Sequence, residues 1–432
     1  MHFFISGISV QSSSMIRKLI KRNLLQLLLF LLAIGGCSTG KQVATKGNKS
    51  LRETIEQRFK HASTQYKLLM EELPEDKLPK TYVKANNFLE TSGSDWWTSG
   101  FYPGTLWALF EETNDSVLLK EARRTLKLLA KQQTNDKLAD LGAIMYNSFG
   151  TAMKIDPQVS YQKTLVASAK TLMKRYNAKV KAIRSWDTRQ NDKEFVVVID
   201  HLMNLELLFW ATHATGDSAY YKAACNEAET IWKNHIRPDY STCQIVTFDT
   251  KTGKVKHKRN AQGYNDESCW ARGQAWALYG FTVLYRETSN PTYLNYAEHI
   301  AEYILNEPNL PKDKVPYWDF NAPDIPNTYR DASAAAIMSA AFLELSGYST
   351  DNGKTYFKAG EAMLETLASP EYTALLGANG GFILMHGAGY IPVMAEVDVP
   401  LPYADYYYIQ ALKRYKMLTM NSSNLNASFR YP

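Results

Sequence analysis

Past residue 50, apolar positions recur at the three-to-four-residue spacing of helices, and alternating β-branched runs are few. The helical segments come in pairs: an apolar stretch, a short polar turn, then a stretch with one polar face. Leu106–Glu112 leads through Thr113-Asn114-Asp115 into Val117–Gln132. Asn204–His213 leads through Thr215-Gly216-Asp217 into Tyr220–His235. Gln274–Glu287, Thr288-Ser289-Asn290 and Tyr293–Leu305 repeat the arrangement, as do Ala334–Leu345, Thr350-Asp351-Asn352 and Lys354–Leu367. A fifth copy runs Leu141–Met153, Asp156-Pro157 and Tyr161–Tyr176. The turns carry the Gly, Asn, Asp and Pro chemistry that short helix connections need.

The first helix of each pair is apolar nearly all round (LELLFWA, AWALYGF, AAAIMSAAF), as a doubly buried inner helix should be. The second has a polar face and belongs outside. Leu51–Leu73 and Tyr403–Leu418 supply two more helices that pair to close a ring. The expectation is an all-α, single-domain (α/α)6 barrel of six helical hairpins over residues 51–418. An open superhelix of helix pairs competes with it, but neither terminal helix reads as having the polar outer face of an exposed cap.

The pattern at the N-terminus is different. Leu24–Ile34 is apolar apart from Gln26, too short to span a bilayer with ease, and follows a basic cluster. It ends in Ile34-Gly35-Gly36-Cys37, which resembles a bacterial lipoprotein signal cleaved before Cys37, whose thiol is then lipidated. A plain secretory signal or short anchor is the alternative, and Met15 is a candidate start. Residues 1–37 are read as the signal, 38–50 as a flexible tether and 419–432 as a polar tail. The chain is therefore expected in the bacterial cell envelope, facing the periplasm, touching membrane only through its lipid, and monomeric.

Charge changes little in this picture. The chain carries 49 basic and 43 acidic side chains, a net +6. Arg17, Lys18, Lys21 and Arg22 sit in the signal, which has no acids, so the remainder is near neutral. That gives no support to nucleic-acid binding. Cys225, Cys243 and Cys269 lack metal-ligand spacing and read as small apolar residues, and the eight histidines do not cluster, so no metal and no cofactor are expected. No phosphate-binding glycine loop, zinc-protease motif or serine nucleophile elbow is present.

The aromatic load is larger: 27 Tyr, 17 Phe and 9 Trp. In a ring of hairpins the inner helices run the same way, so their N-termini meet at one mouth. Asp140, Asp200, Arg272, Asp331 and Asp405 stand at those termini. Each Asp, taken alone, is explained by helix capping. Two acids and an arginine converging beside Trp97, Trp186 and Trp270 are less easily explained so. Flat apolar rings with polar edges suit sugars, and Arg272 suits a carboxylate, with a salt bridge to Asp266 or Glu267 as the alternative. A carboxylate pair working as acid and base is the only catalytic set apparent.

At these residues the sequence resembles glycoside hydrolase family 88, the unsaturated glucuronyl hydrolases. The likeness runs from about Trp96 to Tyr415, through WTSGFYPGTLW, DLGAIMYNSFG, SWD, VVIDHLMNLELLFWAT, QGYNDESCWARGQAWALYGF, YRDASAAA and EVDVPLPYADYYYIQAL. It implies an (α/α)6 barrel and hydration of the C4=C5 vinyl ether of a Δ4,5-unsaturated uronic acid, the end left by polysaccharide lyases. By motif position Asp200 is the general acid/base and Asp140 the second carboxylate. Trp97, Trp186, Gln262, Trp270, Arg272 and His386 are expected to bind substrate, an unsaturated uronyl di- or oligosaccharide of glycosaminoglycan type. The chain departs from the family pattern at Ala139 and Ala143, at Ala261 and Gln244, where histidines are usual, and at Ile391, where a lysine accompanies sulfate preference. A related unsaturated rhamnogalacturonyl hydrolase and a non-catalytic glycan-binding lipoprotein are the rival functions, with a protein-binding helical scaffold a third.

Overall fold

The computed structural model describes residues 50–420. The expected signal, Cys37 and nearly all of the tether and tail lie outside these residues. Among the described residues, twelve helices follow one another as outer and inner layers. The outer set is α1 (Leu51–Glu72), α3 (Ser116–Ala130), α5 (Val159–Met173), α7 (Ser218–His235), α9 (Pro291–Asn306) and α11 (Gly353–Leu367). The inner set is α2 (Phe101–Thr113), α4, α6 (Leu205–Thr215), α8 (Ala271–Thr288), α10 (Ala332–Ser346) and α12 (Pro402–Met420). Helix α4 begins over Leu141–Met145, widens into a π turn at Tyr146–Gly150 and resumes over Thr151–Ile155. Each inner helix packs on the next, and α12 returns to α2, so the inner ring closes into an (α/α)6 barrel.

The closure has a clear physical basis. Nearly every residue of α8 and α10 is buried, because each touches two inner neighbours and an outer helix. The outer helices bury one stripe, and three of them are capped by the side chain before them: the carboxylates of Asp115 and Asp217 accept the Val117 and Ala219 N–H groups, and the Asn290 amide oxygen accepts that of Thr292. Helix α1 carries a capping box between Ser50 and Glu53. Its exposed Arg52, Glu53, Glu56, Gln57 and Lys60 form the polar outer face that the sequence reading denied it; α1 is an outer helix of the closed ring.

The ring's lower end is stitched by buried charge. Arg286 pairs with Glu206, Glu287 and Glu344, and Glu344 also takes Arg414. The mouth end is built from short strands that helical periodicity did not reveal. They are β1 (Leu78–Val83), β2 (Phe88–Ser92), β3 (Tyr176–Asn177), β4 (Ala182–Ile183), β5 (Glu194–Val198), β6 (Ile245–Asp249), β7 (Val255–Arg259), β8 (Gly387–Tyr390) and β9 (Ala395–Val399). All pair antiparallel, as three two-stranded ribbons and the sheet β5-β6-β7.

Candidate active site

The two carboxylates reach the mouth by different routes. Asp140 ends the loop before α4. Asp200 lies just past β5, in the 3₁₀ turn Ile199–Asn204 that feeds α6. The Ile199 N–H bonds the Gln244 carbonyl at 2.9 Å, which prolongs the β5–β6 pairing to the residue before Asp200. Helices α4 and α6 meet where Gly142 lies against Asn204: a Cβ on Gly142 would fall 2.4 Å from the Asn204 carbonyl oxygen. That contact sets the spacing of the two acidic segments.

Neither acid caps its helix. Asp140 makes no side-chain cap bond; its Oδ1 accepts from Asn204 Nδ2 at 3.1 Å instead. Asn204 Oδ1 in turn accepts the Ala143 N–H at 2.8 Å, so one buried amide aligns Asp140 with the first turn of α4. Asp200 Oδ2 is buried without a hydrogen-bond partner. Burial pushes the Asp200 carboxyl up to about 7; Arg272 opposes this and Asp140 adds to it. Burial also raises Asp140, against the pull of His201, the Asn204 amide and Arg175. Capping is correct for Asp331, whose Oδ1 accepts the Ser333 N–H at 2.9 Å. Asp405 is a buried structural acid that accepts from the Ile383 and Leu384 N–H groups and the Tyr66 hydroxyl.

Arg272 joins the site, but not as an open carboxylate fork. Its partner is Asp331 at 3.2 Å, not Asp266 or Glu267. Its terminal nitrogens also bond the Ala388 and Gly389 carbonyls and Gln262 Oε1, leaving Nε buried without a partner. The guanidinium lies between the Trp270 and Tyr403 rings, 4.4 and 5.4 Å from their centroids. Arg272 therefore pins β8 and Gln262 around Asp200 and contributes its charge.

Other expected residues frame this centre. Trp97 packs on Tyr403 with centroids 4.9 Å apart. Trp186 bridges to Val196 and packs with Val198, Ile245 and Ala261 on one face of the β5-β6-β7 sheet. His386 stands before β8 in a left-handed backbone conformation, its Nδ1 2.6 Å from Asp398 Oδ1. Gln244, at a place where the family pattern has histidine, fixes the loop by accepting the Gln262 N–H at 2.8 Å; its Nε2 is buried and unpartnered. Sequence reasoning passed over Asn204, Tyr403 and His201. Asn204 lies four residues after Asp200 on a helical turn, a spacing that could have marked it. Among the described residues no three His, Cys, Asp or Glu side chains gather as a metal site. Cys243 and Cys269 are buried and Cys225 partly so, all three as free thiols.

Known proteins match this geometry. The sequence model of Glycosyl Hydrolase Family 88 matches residues 69–306. An unsaturated glucuronyl hydrolase of Formosa agariphila is 43% identical, over 87% of this chain and 94% of that protein. An unsaturated chondroitin disaccharide hydrolase of Streptococcus agalactiae is 32% identical, over 84% of this chain and 91% of that protein. A crystal structure of an unsaturated glucuronyl hydrolase specific for heparin superposes with a TM-score of 0.82 at 41% identity, covering 85% of this chain and 98% of that one. With barrel, paired carboxylates and extended sequence identity in agreement, the chain belongs to glycosyl hydrolase family 88.

Proposed function

We propose that this enzyme is an unsaturated glucuronyl hydrolase that removes the Δ4,5-unsaturated uronic acid from the non-reducing end of lyase-generated, glycosaminoglycan-type oligosaccharides. One observation carries the mechanism: the half-buried Asp200 holds one carboxyl oxygen enclosed without a hydrogen-bond donor and near Asp140, an arrangement in which burial pushes its carboxyl up to about 7. An acid of that strength can deliver a proton to a vinyl ether at the pH where most carboxylates cannot. Asp200 protonates C4, and positive charge develops at C5 and the ring oxygen. The Asp200 carboxylate left behind takes a proton from water as the water oxygen bonds to C5. The hemiketal opens to a ketone, and the hemiacetal at C1 then expels the neighbouring sugar. Asp140, aligned by Asn204, accepts sugar hydroxyls and keeps negative charge near the developing cation. Because the reaction is a hydration, carboxylate separation does not report retention or inversion here.

The comparisons support the substrate class. A Streptococcus agalactiae relative was crystallised as an asparagine variant with dGlcA-GalNAc6S, and another with asparagine at an earlier aspartate. Those two aspartates have the same spacing along their chain as Asp140 and Asp200. Trp97, Trp186, Gln262, Trp270 and His386 are proposed to contact the uronate and the next sugar. On sequence grounds we also propose lipid attachment at Cys37, periplasmic placement and a monomeric enzyme.

The test uses a panel of lyase-generated disaccharides, sulfated and unsulfated, followed by loss of ultraviolet absorbance of the C4=C5 bond. Turnover that disappears in Asp200→Asn, with an unchanged helical spectrum, is the expected result. Full activity in that variant would refute the assignment, and silence across the panel would favour a binding protein.

A further inference from the structure

We infer that His201, hydrogen-bonded to Glu227, is a positioning residue that ties the Asp140 segment to the Asp200 segment as a buried cation. The inference rests on the reading of those aspartates as the working pair. His201 follows Asp200 directly, yet its ring points away into the barrel wall and is fully buried. Nδ1 lies 2.5 Å from Glu227 Oε1 on α7, and Nε2 lies 3.2 Å from the carbonyl oxygen of Ala139, the residue before Asp140. Glu227 is itself fully buried, with its other oxygen accepting the Ile183 N–H at 3.0 Å.

Hydrogen-bond logic sets the charge. The Ala139 carbonyl can only accept, and against the imidazole's burial Glu227 raises it above its ordinary range, so we place hydrogen on both ring nitrogens. The ring is then an imidazolium, and a single side chain bridges the backbones that present the two acids. A buried pair of this kind adds little to stability against an apolar replacement, so stability alone does not account for it. Its position does: shifting either end moves one carboxylate relative to the other.

The surrounding charges give the sign of its electrical effect. Asp140 feels His201 and Arg175, whereas Asp200 feels Arg272, Asp140 and His201. Glu227 lies behind the imidazole, on the far side of the ring from the Ala139 carbonyl. The cation therefore favours the ionised form of both acids, and its removal raises both.

The double variant His201→Gln/Glu227→Gln keeps two amides that can bond each other and strands no charge. With a lyase-generated disaccharide, kcat should fall by about tenfold or more while KM stays within about twofold. The basic limb of the kcat/KM profile should move up by about half a pH unit. A folded double variant with unchanged kcat or an unmoved limb overturns the inference. Asp200→Asn separates the two questions: full activity there defeats the catalytic reading itself, whereas an unmoved limb defeats only the role of His201. If the double variant does not fold, nitrogen-15 spectra of the wild-type histidines decide. One exchange-protected imidazolium persisting well above the ordinary histidine range supports the inference. Its absence, with only neutral buried histidines such as His235 (held down to about 4), refutes it.

Discussion

Asp200 sits where its charge is least welcome. Its buried Oδ2 has no donor, and burial pushes its carboxyl up to about 7. If the protonated form does the chemistry, kcat/KM is present below that value and lost as pH rises through it, with a midpoint at about 7. On the proposed mechanism Asp140 works ionised, so the acidic limb should lie above the ordinary carboxylate range, and the two limbs belong to a coupled pair. The same desolvation acts on stability. A carboxyl whose folded pKa is raised supports folding at low pH and loses that support as pH climbs through about 7. Asp200→Asn should therefore raise Tm more at pH 8 than at pH 5, by roughly 1–2 °C for each kcal/mol relieved, as calorimetry at the two pH values would show. Asn204→Leu strips a donor from Asp140 and an acceptor from the Ala143 N–H. It should cost about 1–3 kcal/mol in urea unfolding and shift the acidic limb upward, since the amide favours the ionised acid.

At the scale of elements, the site depends on how closely α4 and the turn before α6 approach. Gly142→Ala would set a methyl 2.4 Å from a backbone oxygen and 2.7 Å from the Asn204 Cβ, neither of which can swing aside. Steady-state kinetics should show kcat reduced by about tenfold or more, because an ångström of misplacement is enough to spoil proton transfer. The paired helices were legible because ten or more residues of apolar spacing leave a strong imprint. The ribbons at the mouth were not: strands of two to six residues carry too little alternation to stand out between helices. The π turn in α4, where Gly150 lies against the Tyr146 ring, has no local signature either.

For the whole molecule, closure is the governing fact. Helix α12 packs on α10 and α2, so it belongs to the inner ring and not to an appendage. Truncation before Pro402 would leave α2 and α10 with naked apolar faces, and circular dichroism should report loss of the cooperative fold. The charge network at the lower end is a second whole-ring device, joining α6, α8, α10 and α12. Glu344→Gln leaves Arg286 and Arg414 short of a buried counter-charge; chemical denaturation should show a loss of about 3–5 kcal/mol, with KM unchanged because the network is remote from the mouth.

The sequence by itself determined the helix pairs, their inner and outer faces, and hence the barrel, because burial on two sides or one dictates composition over whole helices. It also marked Asp140, Asp200, Trp270 and Arg272 as residues that a ring must bring to one end. Only the tertiary structure decided what each does there. Arg272 spends its donors on Asp331, Gln262 and β8; Asp140 is held by Asn204 and not by a helix cap; and His201, backed by Glu227, joins the segment after Asp200 to the Ala139 carbonyl. These partners lie far apart in the chain, and hydrogen bonds across such gaps leave no periodicity to read. Desolvation, which moves Asp200 towards neutrality, is a property of everything packed around it and exists only once the ring has closed.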